Sequence, residues 1–239
     1  GHCERVPQLA AMLLDQAEAS TQGMLARFSM NENERYAFQL ASWLHDCGKI
    51  TSPEYVVDKA TKLETIYNRI HEIRTRFEVL WRDAEIECLL ADRPEHIHYW
   101  SARKPPVERD DPDNQWGFDM QLPDYAMHQG ELYNLSIRRG TLTAEERFKI
   151  NEHIVQTRIM LESLPFPRYL QQVPDLAATH HETLDGQGYP SRLTADQLGI
   201  PERVMAIADV FEALTAADRP FKEAKSLSVS LDILVTMAE

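Results

Sequence analysis

Residues 180–190 read His180-His181-Glu182-Thr183-Leu184-Asp185-Gly186-Gln187-Gly188-Tyr189-Pro190 and combine two adjacent histidines with a glycine-broken loop. Adjacent histidines diverge by roughly 100° on a helix, yet both can point into one cavity where the helix ends. The two glycines allow positive φ and a close approach of the backbone to a ligand. Taken alone, the pair also fits a polar helix end and the loop a plain turn. The stretch therefore predicts a helix end and a glycine-rich loop, with two imidazoles available for chemistry.

A second cluster, His45-Asp46-Cys47-Gly48-Lys49, lies near the other end of the chain. An imidazole and a carboxylate side by side can both coordinate a metal ion, and the two oxygens of one aspartate can bridge two ions. Lys49 adds a fixed positive charge about one turn further on. An isolated His-Asp pair is more often a surface or capping pair, so this cluster gains its meaning from the first.

Apolar residues recur at helical spacing along most of the chain, and only nine of its 239 residues are glycine. This pattern predicts an all-α protein. We expect helices over 4–28, from Asn31 or Asn33 to about His45, over 61–91, from a capping box at Thr143 to about Ser163, from Pro174 to the histidine pair, and from Pro201 onwards.

The 61–91 helix carries a long apolar stripe with basic residues largely off it. Such a stripe suits packing on its own domain or a homodimer contact. Residues 92–124 are acidic and punctuated by proline, which predicts a long irregular loop, and a loop of this length inside a domain is usually functional or mobile.

The formal net charge of −13 bears on the class of ligand. Non-specific binding to DNA or RNA needs basic groups that replace counterions, so the charge argues against a nucleic-acid polymer and against a basic membrane anchor. A small anionic ligand remains compatible, because bound metal ions reverse the sign of the field locally.

The three cysteines, Cys3, Cys47 and Cys88, are far apart and form no CxxC pair. They predict neither a disulfide framework nor a zinc ribbon, and they favour the reducing cytoplasm. No apolar run is long enough to span a bilayer. The chain opens inside a helical pattern at Gly1, from which we expect a larger protein with an N-terminal sensory domain.

Together these motifs resemble the HD-GYP domain, the cyclic di-GMP phosphodiesterase branch of the HD superfamily. The similarity rests on the two clusters above and extends to Gly1-His2-x-x-Arg5-Val6, Leu142-Thr143-x-Glu145-Glu146, Arg203-x-x-x-Ile207-Ala208-Asp209-Val210-Phe211-x-Ala213-Leu214-Thr215 and Asp218-Arg219-Pro220. It covers about 1–60 and 141–239. The resemblance implies one HD-GYP domain over 1–239, an HD-type helical bundle with a long helix and loop inserted at about 61–140.

The family pattern assigns seven metal ligands to this chain. One ion would be held by His2, His45, Asp46 and Asp209, and the second by His153, His180, His181 and the bridging Asp46. Glu182 and Asp185 would orient ligands. Lys49, Arg219 and Lys222 match positions that contact substrate phosphates, and Tyr189 matches a residue of the loop beside the site.

The chemistry of phosphodiester hydrolysis agrees with this assignment. The reaction needs a nucleophile, charge neutralisation and a stabilised leaving oxygen, and two adjacent divalent ions supply all three. A histidine-rich site with a bridging carboxylate suits iron or manganese, with zinc or nickel also compatible. Asp46 and Lys49 are the residues expected to carry catalysis. We expect two ions rather than three, because Glu4, the nearest carboxylate in the chain, points away from His2 by roughly 160°.

The sequence departs from the family pattern in its insertion and in Phe221, which stands where tyrosine is frequent. Four further histidines lie within the insertion: His71, His96, His98 and His128. We interpret them as surface or core groups rather than as ligands.

The implied function is hydrolysis of cyclic di-GMP to pGpG, GMP or both in bacterial second-messenger signalling. The mixed cyclic GMP-AMP dinucleotide is an alternative substrate. An HD-type nucleotide phosphohydrolase is a further alternative, against which the Gly-Tyr-Pro loop counts. Outside the enzymes, a catalytically silent module that senses the dinucleotide or a partner is the competing hypothesis, and the retention of all seven ligands disfavours it.

Overall fold

The computed structural model describes residues 2–57, 59, 61–63, 97–100, 104–216 and 224–238. Over these residues the regular structure is helical apart from one short strand pair, which confirms the all-α prediction. The helices are α1 His2–Ala19, α2 Glu32–Leu44, α3 Glu54–Val57, α4 Glu131–Leu135, α5 Ala144–Asn151, α6 His153–Glu162, α7 Val173–Ala177, α8 Ile200–Thr215 and α9 Leu227–Ala238. The strands β1 Ile97–His98 and β2 Met127–His128 pair antiparallel. Short 3-10 segments span Gly23–Arg27, Cys47–Thr51 and Arg168–Leu170.

Two capping boxes begin helices where the sequence predicts them. The Asn31 side chain accepts from the amides of Asn33 and Glu34, and the Glu34 carboxylate accepts from the Asn31 amide. At α5 the Thr143 hydroxyl accepts from the Glu146 amide, and the Glu146 carboxylate accepts from the Thr143 amide. Each box satisfies two amides that the first turn of a helix leaves without partners.

Three predicted helix boundaries were wrong. The first helix ends at Ala19 instead of continuing to residue 28, and Gly23, with φ of 56°, cannot continue an α-helix. The helix predicted from Thr143 to about Ser163 is two helices separated by Glu152, whose amide closes the last turn of α5. The helix before the histidine pair ends at Ala177, so His180 and His181 lie in the turn that follows.

The predicted 61–91 helix lies almost entirely outside the described residues. The expected irregular loop is present where the structure describes it, since residues 104–124 contain neither helix nor strand.

The chain divides into two compact units. The first comprises Gly1–Ile50, Val107–Met120 and His153–Glu239, and the second comprises Thr51–Pro106 and Gln121–Glu152. The predicted division into a core at 1–60 and 141–239 and an insertion at 61–140 stays a prediction.

In the first unit, α1 packs against α2 and α8, and α7 packs against α2 and α6. These helices enclose one hydrophobic core of buried side chains: Val6, Ala10, Leu14, Ala37, Phe38, Ala41, Leu161, Leu170, Val173, Leu176, Ala177, Val204, Met205 and Ala208. Several of these positions are small, so the helices can approach one another closely at the end that carries the histidines.

In the second unit, α3 packs against α5, and a buried lysine ties its segments together. The Lys59 ammonium donates to the Glu146 carboxylate at 2.7 Å and to the Asn134 side-chain oxygen at 3.1 Å. A buried charge of this kind is tolerated only when it is paired and hydrogen-bonded, as it is here.

Candidate metal centre

The predicted ligands continue the helical stripes that form the core of the first unit. On α1, His2 precedes Val6 and Ala10 at four-residue steps, and on α8, Asp209 follows Met205 by four residues. Residues four apart share a helix face. The apolar packing that joins these helices therefore also brings the ligands of separate helices to one place.

The remaining ligands lie at helix ends. His45 and Asp46 follow directly after α2, and His153 is the first residue of α6. The pair His180-His181 lies in the turn after α7. Side chains at helix ends can turn towards a common centre without interrupting the packing of the helices.

Two groups of ligand atoms result. One consists of His153, His180 and His181, and the other of His2, His45 and Asp46. Within each group, the atoms able to coordinate a metal all lie within 4.8 Å of one another. The grouping follows the division of ligands implied by the family resemblance.

Asp46 faces both groups, one carboxylate oxygen to each. Its Oδ2 lies 3.2 Å from His2 Nε2 and 3.5 Å from His45 Nε2. Its Oδ1 lies 3.2 Å from His153 Nε2 and 3.7 Å from His180 Nε2. A carboxylate with its two oxygens directed at separate ligand groups has the geometry of a bridging ligand.

Asp209 completes the first group. Its Oδ1 lies 3.2 Å from His2 Nε2 and 3.9 Å from His45 Nε2, and the residue is buried. The structure thus brings all seven predicted ligands together.

The tautomers of two histidines are set by backbone carbonyls. The Nδ1–H of His45 donates to the Ser42 carbonyl at 2.7 Å, and that of His180 donates to the Ala177 carbonyl at 2.9 Å. Each ring therefore directs the lone pair of Nε2 into the centre. Within the part of the chain that the structure describes, neither Nε2 atom makes a hydrogen bond, although both are buried. Buried nitrogens presented in this way fit a metal ion.

The pKa shifts of three ligands favour the protonation states that bind metal. Burial lowers the pKa of His45 to about 4 and holds the pKa of His181 well below its usual value. Burial alone would raise the pKa of Asp46, but the neighbouring imidazoles of His153, His180 and His2 more than offset this effect, so the pKa lies far below its usual range. Neutral imidazoles and ionised carboxylates are the forms that bind metal. His2 differs, because the neighbouring carboxylates of Asp209 and Asp46 raise its pKa to about 10, so metal binding there must release a proton.

Lys49 lies beside the centre and is partly exposed to solvent. Its ammonium pairs with Oδ2 of Asp46, while 42% of its side chain is exposed. The local backbone is fixed by the Gly48 amide, which donates to the Thr157 hydroxyl at 2.9 Å, and by that hydroxyl, which donates to the His45 carbonyl. Lys49 is therefore held next to the Asp46 carboxylate and remains accessible to solvent.

The Gly-Tyr-Pro loop, which contains Gly188 to Pro190, packs against His181 of the second histidine group. The Tyr189 ring stacks on His181 with centroids 4.9 Å apart and an angle of 24° between the rings. Burial, together with the charges of Asp209 and Asp46, raises the pKa of Tyr189, so its hydroxyl stays protonated. Gly188 is required because a Cβ there would lie 2.4 Å from the Thr183 amide nitrogen.

Glu182 and Asp185 bind the loop. The Glu182 carboxylate accepts from the Ser191 amide at 2.7 Å and from the Leu193 amide at 2.9 Å. Asp185 accepts from the Thr183 hydroxyl and from the Gln187 amide. The described contacts of both residues thus hold the backbone around Tyr189. If these residues orient the histidines, they do so indirectly, by holding the loop in place.

Glu212 and Arg5 are site residues that the sequence reasoning missed. One oxygen of the buried Glu212 carboxylate contacts Nδ1 of His2, and the other accepts from Arg5 Nε at 2.6 Å. Because Nδ1 is held in this way, the Nε2 of His2 faces Asp46 and Asp209. Glu212 could have been found from its position, because it follows Asp209 by three residues on α8 and therefore lies on the same helix face.

Several predicted positions lie outside the described residues: Arg219, Lys222, His71 and His96. The structure describes His128 in the second unit, where its ring stacks on Tyr133 with centroids 3.9 Å apart. His98 lies in β1. Among the described helices, none is both long and apolar enough to cross a membrane.

Comparison with known proteins places this geometry in context. A family model described as HD domain matches residues 86–239, a range that contains four of the ligands. The chain is 29% identical over 166 residues to 3'3'-cGAMP-specific phosphodiesterase 2 of Vibrio cholerae, a match that covers 69% of this chain and 30% of that protein.

Two further relatives match over shorter ranges. The cyclic di-GMP phosphodiesterase response regulator RpfG of Xanthomonas campestris is 37% identical over 100 residues, 41% of this chain and 25% of that protein. A cyclic di-GMP phosphodiesterase of Thermotoga maritima is 35% identical over 91 residues, 38% of this chain and 24% of that protein. The chain thus spans less than a third of the length of these relatives.

Proposed function

Because the chain belongs to the HD domain family and carries the motifs of its HD-GYP branch, we propose that it is a metal-dependent phosphodiesterase that hydrolyses cyclic di-GMP to pGpG, GMP or both. The observation that carries this proposal is Asp46, whose two oxygens face two separate groups of histidines.

This geometry supports a centre of two divalent ions, iron or manganese by preference, with zinc or nickel compatible. His2, His45 and Asp209 would hold one ion, His153, His180 and His181 the other, and Asp46 both. When bound, the two ions activate a water for attack and neutralise the phosphate charge.

The remaining chemistry belongs to side chains of this chain. Lys49, next to Asp46 and accessible, would place its positive charge against a phosphate oxygen. Tyr189 keeps its proton and would donate a hydrogen bond to the bound dinucleotide. Arg219 and Lys222, on the family pattern, would contact the phosphates.

A second substrate deserves equal testing, because three of the matching relatives are named as 3'3'-cGAMP-specific phosphodiesterases. One of these matches over a larger share of this chain than the cyclic di-GMP enzymes above do. We therefore carry cyclic GMP-AMP as the alternative substrate of the same centre.

Three features of the setting are also proposals. A cytoplasmic location agrees with cysteines that form no CxxC pair. An N-terminal sensory domain agrees with relatives much longer than the matched segment. A homodimer through residues 61–91 rests on the apolar stripe of that segment alone.

The test is product analysis on purified protein supplied with manganese or ferrous iron. Cyclic di-GMP and cyclic GMP-AMP are incubated separately, and the linear products are identified and timed. The proposal predicts metal-dependent turnover of at least one dinucleotide, and the ratio of the two kcat/KM values decides the substrate. Tight binding of either dinucleotide without turnover in metal-replete protein would contradict the enzyme and favour the silent sensing module.

A further inference from the structure

Residues 107–120, which we term the strap, belong to the first unit although the sequence places them inside the insertion. The strap is a closed loop, since the Met120 amide donates to the Val107 carbonyl at 2.7 Å. Val107 and Phe118 are fully buried. The Asn114 side chain donates to the Phe118 carbonyl at 2.7 Å and accepts from its amide at 3.0 Å. The strap is therefore an anchored element of the unit that holds the candidate metal centre.

Asp119 of the strap binds the Gly-Tyr-Pro loop. The Asp119 amide donates to the Pro190 carbonyl at 2.7 Å. The Asp119 carboxylate lies 2.9 Å from Arg109 Nη2 and 3.8 Å from Arg192 Nε. Asp119 therefore binds the loop through its backbone and through the charge of a loop arginine.

From Pro190 the contacts continue to the histidines. The preceding residue, Tyr189, stacks on His181, and its amide donates to the His181 carbonyl at 3.2 Å. A displacement of Pro190 must therefore displace the ring that covers His181. Two residues, Pro190 and Tyr189, thus connect Asp119 to His181 of the second histidine group.

The loop residue paired with Asp119 has an unfavourable backbone conformation. Arg192 has φ of 54°, a region that residues other than glycine adopt only with strain. The flanking amides of Ser191 and Leu193 are held by Glu182. The loop is thus fixed from one side by Glu182 and from the other by Asp119.

We propose that the carboxylate of Asp119 is a positioning group, which pairs with Arg192, holds the loop that carries Tyr189 and Pro190 against His181, and so sets the shape of the substrate site. The substrate part of this inference rests on the proposed function. None of the described contacts of Asp119 is to a predicted metal ligand, so we expect its substitution to change dinucleotide binding and to leave metal content unchanged.

The experiment compares Asp119→Ala with Asp110→Ala, which removes the same charge from an exposed position of the strap. In Asp119→Ala we expect KM to rise roughly threefold to fivefold, because an exposed ion pair contributes little, while kcat stays within about twofold. Asp119→Glu should recover most of the KM. Metal content should match that of the unaltered protein in all three.

A second pair of measurements does not depend on activity. Amide hydrogen exchange across residues 181–193 should be faster in Asp119→Ala and unchanged in Asp110→Ala. Arg192→Gly tolerates the positive φ but lacks the guanidinium, so it should raise KM, and the double variant Asp119→Ala/Arg192→Gly should be less than additive.

Unchanged KM and unchanged exchange in Asp119→Ala would overturn the inference, as would loss of metal from that variant. If the unaltered protein hydrolyses neither dinucleotide, the proposed function has failed. The exchange comparison then still decides whether Asp119 positions the loop.

Discussion

At the scale of single residues, the two oxygens of Asp46 have different surroundings. Oδ2 faces His2, His45 and the ammonium of Lys49, and Oδ1 faces His153 and His180. A carboxylate that only stabilises the fold needs partners at one of its oxygens. A bridging role requires histidines at both oxygens, as found here. Lys49 contacts Oδ2 as well, so it lies next to the centre without being a ligand.

Lys49→Ala therefore removes a positive charge from the centre without removing a predicted metal ligand. We expect metal content to stay normal while turnover of the dinucleotide falls roughly 10²-fold, as when one electrostatic stabiliser is removed. Lys104→Ala, which removes one exposed positive charge elsewhere, is the control and should leave turnover unchanged. Loss of metal in Lys49→Ala would show that the lysine is structural.

Glu212→Gln tests the newly found contact to His2. The amide cannot accept from His2 with the strength of a carboxylate, so the ring loses orientation, and metal affinity should fall roughly 10- to 100-fold. Saturating metal should restore most of kcat. Glu202→Gln, about 15 Å away along the same helix, is the matched control. Equal metal titration curves for Glu212→Gln and the unaltered protein would rule out the orienting role.

At the scale of elements, the caps and the stripes could be predicted from sequence because they are local. Asn31 and Thr143 lie within three residues of their partners, and the apolar periodicity of α1 or α8 needs no knowledge of the fold. The boundaries that failed depend on backbone conformation, as at Gly23, or on how a last turn closes, as at Glu152.

The candidate site could likewise be predicted from the sequence only in part. The clustering of the seven ligands was implied by motifs. The contact of Glu212 with His2 joins residues 210 positions apart, and position 212 is left open in the pattern of α8. The contact between the strap and the Gly-Tyr-Pro loop could not be predicted either, because an irregular, proline-rich stretch has no periodicity that would indicate where it packs. Pairings between distant segments need the tertiary structure.

The approach of α2's end to α6 gives a prediction for Gly48. A Cβ at this position would lie 1.9 Å from the His153 carbonyl oxygen and 2.5 Å from the Thr157 amide nitrogen. Because both atoms belong to backbone, the clash cannot relax cheaply. Gly48→Ala should lower the free energy of unfolding by about 3 kcal/mol and weaken metal binding at His153.

Gly140→Ala is the comparison for this effect. Gly140 has φ of 74° and no atom within 4 Å of the added Cβ, so only its backbone conformation is penalised, by about 1 kcal/mol. Chemical denaturation measures both variants. A smaller loss at Gly48 than at Gly140 would contradict the close approach.

At the scale of the whole molecule, a chain with a net charge of −13 must still admit an anionic substrate. The proposed ions and Lys49 would concentrate positive charge at the centre, which agrees with a small dinucleotide, while the acidic net charge argues against a long nucleic acid. The ligands come from five separate parts of the first unit, so bound metal would stabilise the folded state of that unit.

Metal removal should therefore lower thermal stability. Ligand present at 100 times its Kd adds about 2.7 kcal/mol. For a chain of this size, that corresponds to a fall in Tm of roughly 5–10 °C on chelation. Calorimetry with and without chelator measures the shift, and Asp46→Ala should show none. An unchanged Tm in protein whose metal has demonstrably been removed would contradict the assignment.

The most direct test of the central claim is the metal content of the unaltered protein, Asp46→Ala and Asp209→Ala, measured by elemental analysis after loading with manganese or iron, with hydrolysis followed on the same samples. If Asp46 bridges two ions, the unaltered protein holds two per chain, Asp209→Ala retains about one, and Asp46→Ala retains neither ion and no activity. A metal-replete Asp46→Ala variant that still hydrolyses the dinucleotide would contradict the bridging role of Asp46.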